Sequence, residues 1–313
     1  MSNKMFVFPG VGSHHTGMGK EFYENFQVVR DTFEEAGDVL KLDMKKMIFS
    51  PEEAPNLNKL ENSQAALLTL ETATYRLYMA EVGIKPVYCL GHSLGEYSAL
   101  CCAGVIRLPD ALTMVRKRGE ILNQVAASMK GIMAWIINLD NKIVENLCKD
   151  YSKEGEEIHI SAFDAPTQCS ISGLRADIMK VGERLVNRGA IVYPLNLRGP
   201  FHSPYMKNAA QQMKTLLQQF EYGEPAFPVI ANQNALPYEK NRENVITNLS
   251  QQLVCPLRWQ NSLEYLVNRG IKTAVEVGPD KVLKLIAKNN TPSISTYSLE
   301  NLKDLEVIKE NLN

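Results

Sequence analysis

Gly91-His92-Ser93-Leu94-Gly95 sets a serine hydroxyl between two glycines, after the apolar run Pro86-Val87-Tyr88-Cys89-Leu90 and ahead of a helical pattern. In this strand–turn–helix setting the serine reads as a nucleophile rather than a helix cap. The glycines allow a sharp turn with little side-chain crowding, and the hydroxyl then stands above the sheet edge. Amides at the start of the following helix can stabilise an oxyanion formed beside it. The chemistry that such a turn supports is acyl transfer through an ester on Ser93.

A serine nucleophile needs a base, and the chain has five histidines. His92 adjoins Ser93, but a neighbour on a tight turn points elsewhere, so it is expected to pack or to make a structural hydrogen bond. His202, in Arg198-Gly199-Pro200-Phe201-His202-Ser203, lies where a loop can reach back to the sheet edge. It is the leading candidate, with His14 and His15 as its main rivals. His159 begins a strand and is expected to pack there. A histidine near its ordinary pKa of about 6.5 is partly neutral at pH 7, as a base must be.

The group that orients the base stays open at this level. Asp164 satisfies the usual order of serine, acid, histidine, yet it sits in the turn-like string Phe163-Asp164-Ala165-Pro166. A backbone carbonyl can fix an imidazole tautomer equally well. Arg118, near the end of a helical stretch, could pair bidentately with a substrate carboxylate. Against that, an arbitrary arginine more often belongs to a surface ion pair.

These groups must be positioned by alternating strands and helices. Met5-Phe6-Val7-Phe8 reads as a buried strand closed by Pro9-Gly10, with helical patterns near Lys20 and at about Gln64 to Val82. The apolar strand into Ser93 is followed by helices at about Gly95 to Ala103 and Pro109 to Ala127. Such alternation implies a parallel sheet covered on both faces.

Near Met129 the texture changes. A strand at Gly131 to Ile137 leads to a helix at about Asp140 to Lys149, then to strands near Ile158 to Ala162 and Cys169 to Ser172. A helix near Ala176 to Asn187 and a strand near Ala190 to Pro194 complete a ferredoxin-like order. The expectation is an α/β protein: a large hydrolase-like domain in two parts, residues 1–128 and 199–313, with a ferredoxin-like small domain, residues 129–198, inserted between them. The buried strand Ala274-Val275-Glu276-Val277 belongs to the second part.

Composition narrows the classes of partner. The 313 residues are 45% hydrophobic, enough for one large core or a large core with an inserted small one. Lys+Arg 34 against Asp+Glu 35 leaves a net charge of -1, so nothing points to nucleic acid or an anionic membrane. No stretch approaches a bilayer span, and no secretory segment precedes the glycine-rich turn after Phe8. The six cysteines lack a metal or disulfide spacing, as expected of small buried side chains in a reducing cytoplasm.

Taken together, five strings in order resemble the malonyl-CoA:acyl-carrier-protein transacylases, the acyltransferases of fatty-acid and polyketide synthesis, including free-standing trans-acting ones. They are FPGVGSHHTGMG, GHSLGEYSAL, RKRG, GPFHSPYM and EVGPDKVL, and the likeness spans nearly the whole chain. The resemblance implies Ser93 as the acylated nucleophile, His202 as general base and Arg118 as partner of the malonate carboxylate. It implies backbone amides of Val11 and Leu94 as the oxyanion hole, a histidine-orienting carbonyl near Arg258, and a supporting role for Gln64. Phe201 occupies the position where malonyl-selective relatives carry phenylalanine and methylmalonyl-selective ones serine.

The implied substrate is malonyl-CoA, and the implied acceptor is the phosphopantetheine of a carrier protein. No metal or bound cofactor is implied, and the chain is expected to act as a cytoplasmic monomer. Val11 departs from the family's usual glutamine, His14 and His15 fill an altered stretch, and Asp164 stands where asparagine is common. A hydrolase that clears acyl groups from carrier proteins, or a catalytically silent docking protein, are the competing readings. Retention of Arg118 argues against the hydrolase, and joint retention of Ser93, His202 and Arg118 argues against the silent protein.

Overall fold

A computed structural model describes residues 3–153 and 157–312 of the chain. Met1, Ser2 and Asn313 of the expected large domain, and residues 154–156 of the expected small one, lie outside the described residues. In chain order the strands are β1 (Lys4–Phe8), β2 (Tyr88–Gly91), β3 (Gly131–Ile137), β4 (Ile158–Ala165), β5 (Gln168–Leu174), β6 (Ile191–Arg198), β7 (Val229–Ile230), β8 (Thr273–Val277) and β9 (Ser295–Leu299).

Five of them form one sheet in the order β7-β2-β1-β8-β9, and every pairing in it is parallel. Its central strand shows why the sequence there is apolar without alternation. Phe6 and Phe8 pack into the core on one face, while Met5 and Val7 pack against Trp259, Leu263 and Leu266 on the other. A parallel strand with helices on both sides has no solvent face. The helices Leu60–Glu81, Gly95–Cys102 and Leu108–Ala127 supply much of the first layer.

The remaining strands form an antiparallel sheet in the order β4-β5-β3-β6. The helices Asn141–Lys153 and Arg175–Val186 accompany it, and Ile132, Ile136, Ile171, Ile178 and Leu185 lie in a core of its own. This is the ferredoxin-like arrangement, inserted into a hydrolase-like α/β body. The inserted sheet is tied back to that body through the edge strand β4. Phe163 N donates to the Leu257 carbonyl at 2.8 Å, and Leu257 N donates to the Ser161 carbonyl at 2.9 Å.

Two local expectations change. Asp164 is not a turn residue, because β4 runs on to Ala165 before the chain reverses. Arg118 lies in the middle of its helix, Leu108–Ala127, rather than near its end. The short β7 and the edge strand β9 carry no sequence signal strong enough to mark them beforehand. Among the described residues, no helix is long and apolar enough to cross a membrane.

Candidate active site

Parallel strands that point the same way deliver their carboxyl ends to one edge of the sheet, where α/β proteins bind ligands. The segments after β1, β2 and β7 carry Val11, Ser93 and Asn232, respectively. The Ser93 turn is tight enough to demand its glycines. A Cβ on Gly91 would lie 1.9 Å from the Gly95 carbonyl carbon, and one on Gly95 would lie 2.1 Å from the Phe8 oxygen. Ser93 itself takes the left-handed conformation, at φ 53°. Its amide donates to Asn232 Oδ1 at 2.9 Å, and Asn232 Nδ2 donates to the Gly91 carbonyl at 2.6 Å, so one side chain braces both halves of the turn.

His92 points away from the hydroxyl, as its place on the turn requires. Its Nε2 lies 3.1 Å from Asp164 Oδ1, and its ring leans on Trp259. Asp164 therefore serves His92 and β4, not the base.

The base is His202, buried at 5% exposure, with Nε2 2.9 Å from Ser93 Oγ. Its Nδ1 lies 2.8 Å from the main-chain oxygen of Gln252. A carbonyl only accepts, so Nδ1 carries the proton and Nε2 is left to accept from the serine. Burial pushes the imidazole pKa down to about 3; the Gln252 carbonyl opposes the shift, while Arg118 and His92 add to it. The histidine-orienting carbonyl expected near Arg258 thus belongs to Gln252. Arg258 is engaged elsewhere: its amide donates to the Asn232 oxygen at 2.9 Å and its Nε to the Gln233 oxygen at 3.1 Å. An intervening turn sets Gln252, not Arg258, against the imidazole.

Arg118 is 2% exposed and lies within reach of the nucleophile. One terminal nitrogen donates to Gln64 Oε1 at 2.7 Å; the other donates to Gln252 Oε1 at 2.9 Å and to Ser93 Oγ at 3.3 Å. The guanidinium carbon sits 5.6 Å from the Tyr97 ring centre. Burial pulls the arginine pKa down, opposed by Tyr97 and Glu96. Its partners among the described residues are amide and hydroxyl oxygens, with no carboxylate in contact. Arg118 Nε and Gln64 Nε2 are buried donors without an acceptor among those residues. A fixed cationic fork with spare donors is built for a carboxylate.

Gln252 joins these parts. Besides its bonds to His202 and Arg118, its Nε2 donates to the Ser93 oxygen at 2.8 Å and to Glu96 Oε2 at 2.5 Å. Glu96 also accepts from the Asn232 amide at 2.9 Å and the Tyr238 hydroxyl at 2.6 Å. Gln252, Asn232 and Glu96 escaped the sequence reading. Glu96 follows the serine turn directly and could have been suspected, but nothing local distinguishes Gln252.

The remaining candidates fall around this centre. The amides of Val11 and Leu94 donate to no hydrogen bond among the described residues, and Gly10 abuts the His92 carbonyl, which brings the two turns together. Phe201 is buried, and its carbonyl accepts from Ser172 Oγ at 2.6 Å. The rival histidines are occupied: His14 Nε2 faces Asn58 Oδ1, and His15 Nδ1 faces the Ser13 oxygen. His159 packs edge-on to Tyr205.

A family model described as an acyl transferase domain matches residues 5–308. A malonyl CoA-acyl carrier protein transacylase from Bacillus subtilis is 36% identical over 310 residues, 99% of this chain and 77% of that protein. One from Staphylococcus aureus is 35% identical over 312 residues, covering 99% of this chain and 100% of the other. Among solved structures, a chain from the complex of a type II PKS acyl-carrier protein with its malonyl-transacylase matches with a TM-score of 0.94. That match is 34% identical and covers 100% of both chains.

Proposed function

This chain belongs to the malonyl-CoA:acyl-carrier-protein transacylase family of acyl transferases, and from that premise we propose that it carries a malonyl group, through an ester on Ser93, from malonyl-CoA to the phosphopantetheine thiol of a carrier protein. His202 Nε2 takes the Ser93 proton as the hydroxyl attacks the thioester carbonyl. The amides of Val11 and Leu94 hold the oxyanion of the tetrahedral intermediate. On collapse the carbon–sulfur bond breaks, and His202 returns the proton to the departing coenzyme A thiolate. The carrier thiol then repeats the sequence in the opposite sense and frees Ser93.

The observation that carries this reading is the buried Arg118 fork, with its terminal nitrogen 3.3 Å from Ser93 Oγ and no carboxylate among its partners in the described residues. A malonyl carboxylate supplies the missing counter-charge and sets the thioester carbonyl beside the nucleophile. Gln64 and Gln252 fix the angle of the fork. Phe201 forms a wall that disfavours an α-methyl group. A hydrolase for neutral acyl groups has no use for such a cation.

The expected division at residues 129 and 198 belongs to the same reading, since every strand of the antiparallel sheet falls between them. Likeness to a transacylase complexed with a type II PKS carrier supports a polyketide carrier protein among the acceptors. The free cysteines support a reducing cytoplasm as the compartment. Competition between malonyl-CoA and acetyl-CoA tests the assignment. Arg118→Ala is expected to depress malonyl transfer selectively and to leave acetyl transfer equal or raised. Equal losses for both groups would remove the carboxylate clamp.

A further inference from the structure

Among the described residues, Glu96 is the one carboxylate hydrogen-bonded into the network that holds Arg118, and the transfer steps make no use of it. It is 0% exposed, and all three groups bonded to it, the Asn232 amide, the Tyr238 hydroxyl and the Gln252 amide, act as donors. Through the Gln252 amide it is one residue removed from the guanidinium. Two buried opposite charges joined in this way make a site that is neutral overall. A malonyl carboxylate arriving on Arg118 adds a negative charge where water cannot screen it, and an uncompensated buried charge is costly.

We propose that Glu96 is the proton-exchanging counter-charge of Arg118: in part a carboxylate near neutral pH before the malonyl group arrives, and a carboxylic acid once the malonyl carboxylate lies on the guanidinium. The inference rests on the malonyl reading of Arg118. One proton comes from solvent, and no bond to carbon changes in the exchange. The Tyr238 hydroxyl is the group that can accommodate it, because a hydroxyl both donates and accepts. Tyr238 also lines a cavity of about 70 Å³ together with Tyr222, Glu239 and Arg242. The protonated Glu96 donates to Tyr238 Oη, whose own proton turns away from the carboxyl group.

Burial raises the Glu96 carboxyl to about 7, against the pull of Tyr238, Asn232, Gln252 and Arg118. The other titratable groups around it are poorly placed to exchange a proton in its stead near neutrality. Burial drives Tyr97 and Tyr238 upward and His202 downward. Glu71, on the neighbouring helix Leu60–Glu81, is held well above the usual carboxylate range by burial and faces Ser98 instead. Cys101 and Cys102, at the far end of the Glu96 helix, are pushed up by burial as well. As a positioning residue, Glu96 lets one buried site hold Arg118 both alone and with a diacid.

Acylation of Ser93 is itself proton-neutral near pH 7, since the hydroxyl proton ends on the coenzyme A thiol. Proton uptake during loading therefore reports the exchange directly. The experiment follows a pH-indicator dye in weakly buffered protein mixed with malonyl-CoA, and counts malonyl-Ser93 by intact mass. Taken as the malonyl value minus the acetyl value per ester, which cancels ionisation of the released thiol, the expected uptake is roughly half a proton near pH 7, rising toward one near pH 8 and falling toward none near pH 6. Acetyl-CoA, counted per acetyl ester, is expected to draw none near pH 7, and Glu96→Gln is expected to abolish the difference between the two thioesters. Malonyl ester without uptake, equal uptake with acetyl-CoA, or unchanged uptake in Glu96→Gln would each overturn the assignment. If that variant does not fold, the comparison of malonyl with acetyl in the unsubstituted protein decides the matter. If no malonyl ester forms at all, the clamp reading fails first and the Glu96 assignment falls with it.

Discussion

Ser93 at φ 53° and His202 at φ 57° share a left-handed backbone, yet the turns that hold them are built differently. A non-glycine residue in that region costs roughly 1–3 kcal/mol and persists only where its surroundings over-determine it. Around Ser93 part of the constraint is local, since a Cβ on Gly91 would collide with the Gly95 main chain, although Phe8 and Asn232 press and brace the turn from elsewhere. Around His202 it is remote. Ser172, 29 residues away, holds the Phe201 carbonyl, and Gln252, 50 residues away, holds Nδ1. The sharp bend at the nucleophile is thus written in a five-residue motif that the fold then braces, whereas the base is aligned almost wholly by the finished fold.

Removing the remotely held base is expected to have the largest kinetic effect short of losing the nucleophile itself. His202→Ala should slow acylation of Ser93 by on the order of 10²–10⁴ with the fold retained, as read by single-turnover mass spectrometry. His159→Ala, whose ring packs edge-on to Tyr205 rather than reaching the nucleophile, should be mild by comparison. Near-parental rates for His202→Ala would detach the base from this turn altogether.

Burial sharpens the contrast through pH. With its pKa lowered to about 3, folded His202 stays neutral where an ordinary histidine charges. At saturating malonyl-CoA the acylation rate should therefore show no inflection near the ordinary value of about 6.5. The unfolded chain does bind a proton at this histidine below about 6.5. Stability contributed by the neutral form is then present above that pH and is lost as pH falls toward about 3. Denaturant midpoints measured across this range should fall with acid, and less steeply in a folded His202→Gln variant.

A smaller effect is expected one residue earlier. Phe201→Ser should narrow the preference for malonyl-CoA over methylmalonyl-CoA by about 1–3 kcal/mol at most, the usual worth of a single methyl group in a pocket. Competition kinetics on the two thioesters measure it, and an unchanged ratio would take Phe201 out of the specificity wall.

The same division between local and remote explains what the sequence made legible. The strands β1 and β2, the elbow and the ferredoxin-like order follow from apolar runs, glycines and strand–helix alternation within short windows. His202 and Arg118 stand in strings long enough to identify. Gln252 does not: its carbonyl matters because the fold sets it against the imidazole, and its amide because Arg118, Ser93 and Glu96 all converge on it. Asp164 illustrates the reverse failure. The order serine, acid, histidine offered it a catalytic part, but β4 carries it to His92 instead.

Everything in the transfer cycle passes through the ester at Ser93. Incubation with malonyl-CoA followed by intact-protein mass spectrometry, with and without a phosphopantetheinylated carrier protein, reads both half-reactions in one experiment. The expected result is one malonyl group on the protein, absent in Ser93→Ala, that disappears from the enzyme and appears on the carrier when the carrier is added. Persistent malonylation of Ser93→Ala, or release of the group to water with none reaching any carrier, would contradict it.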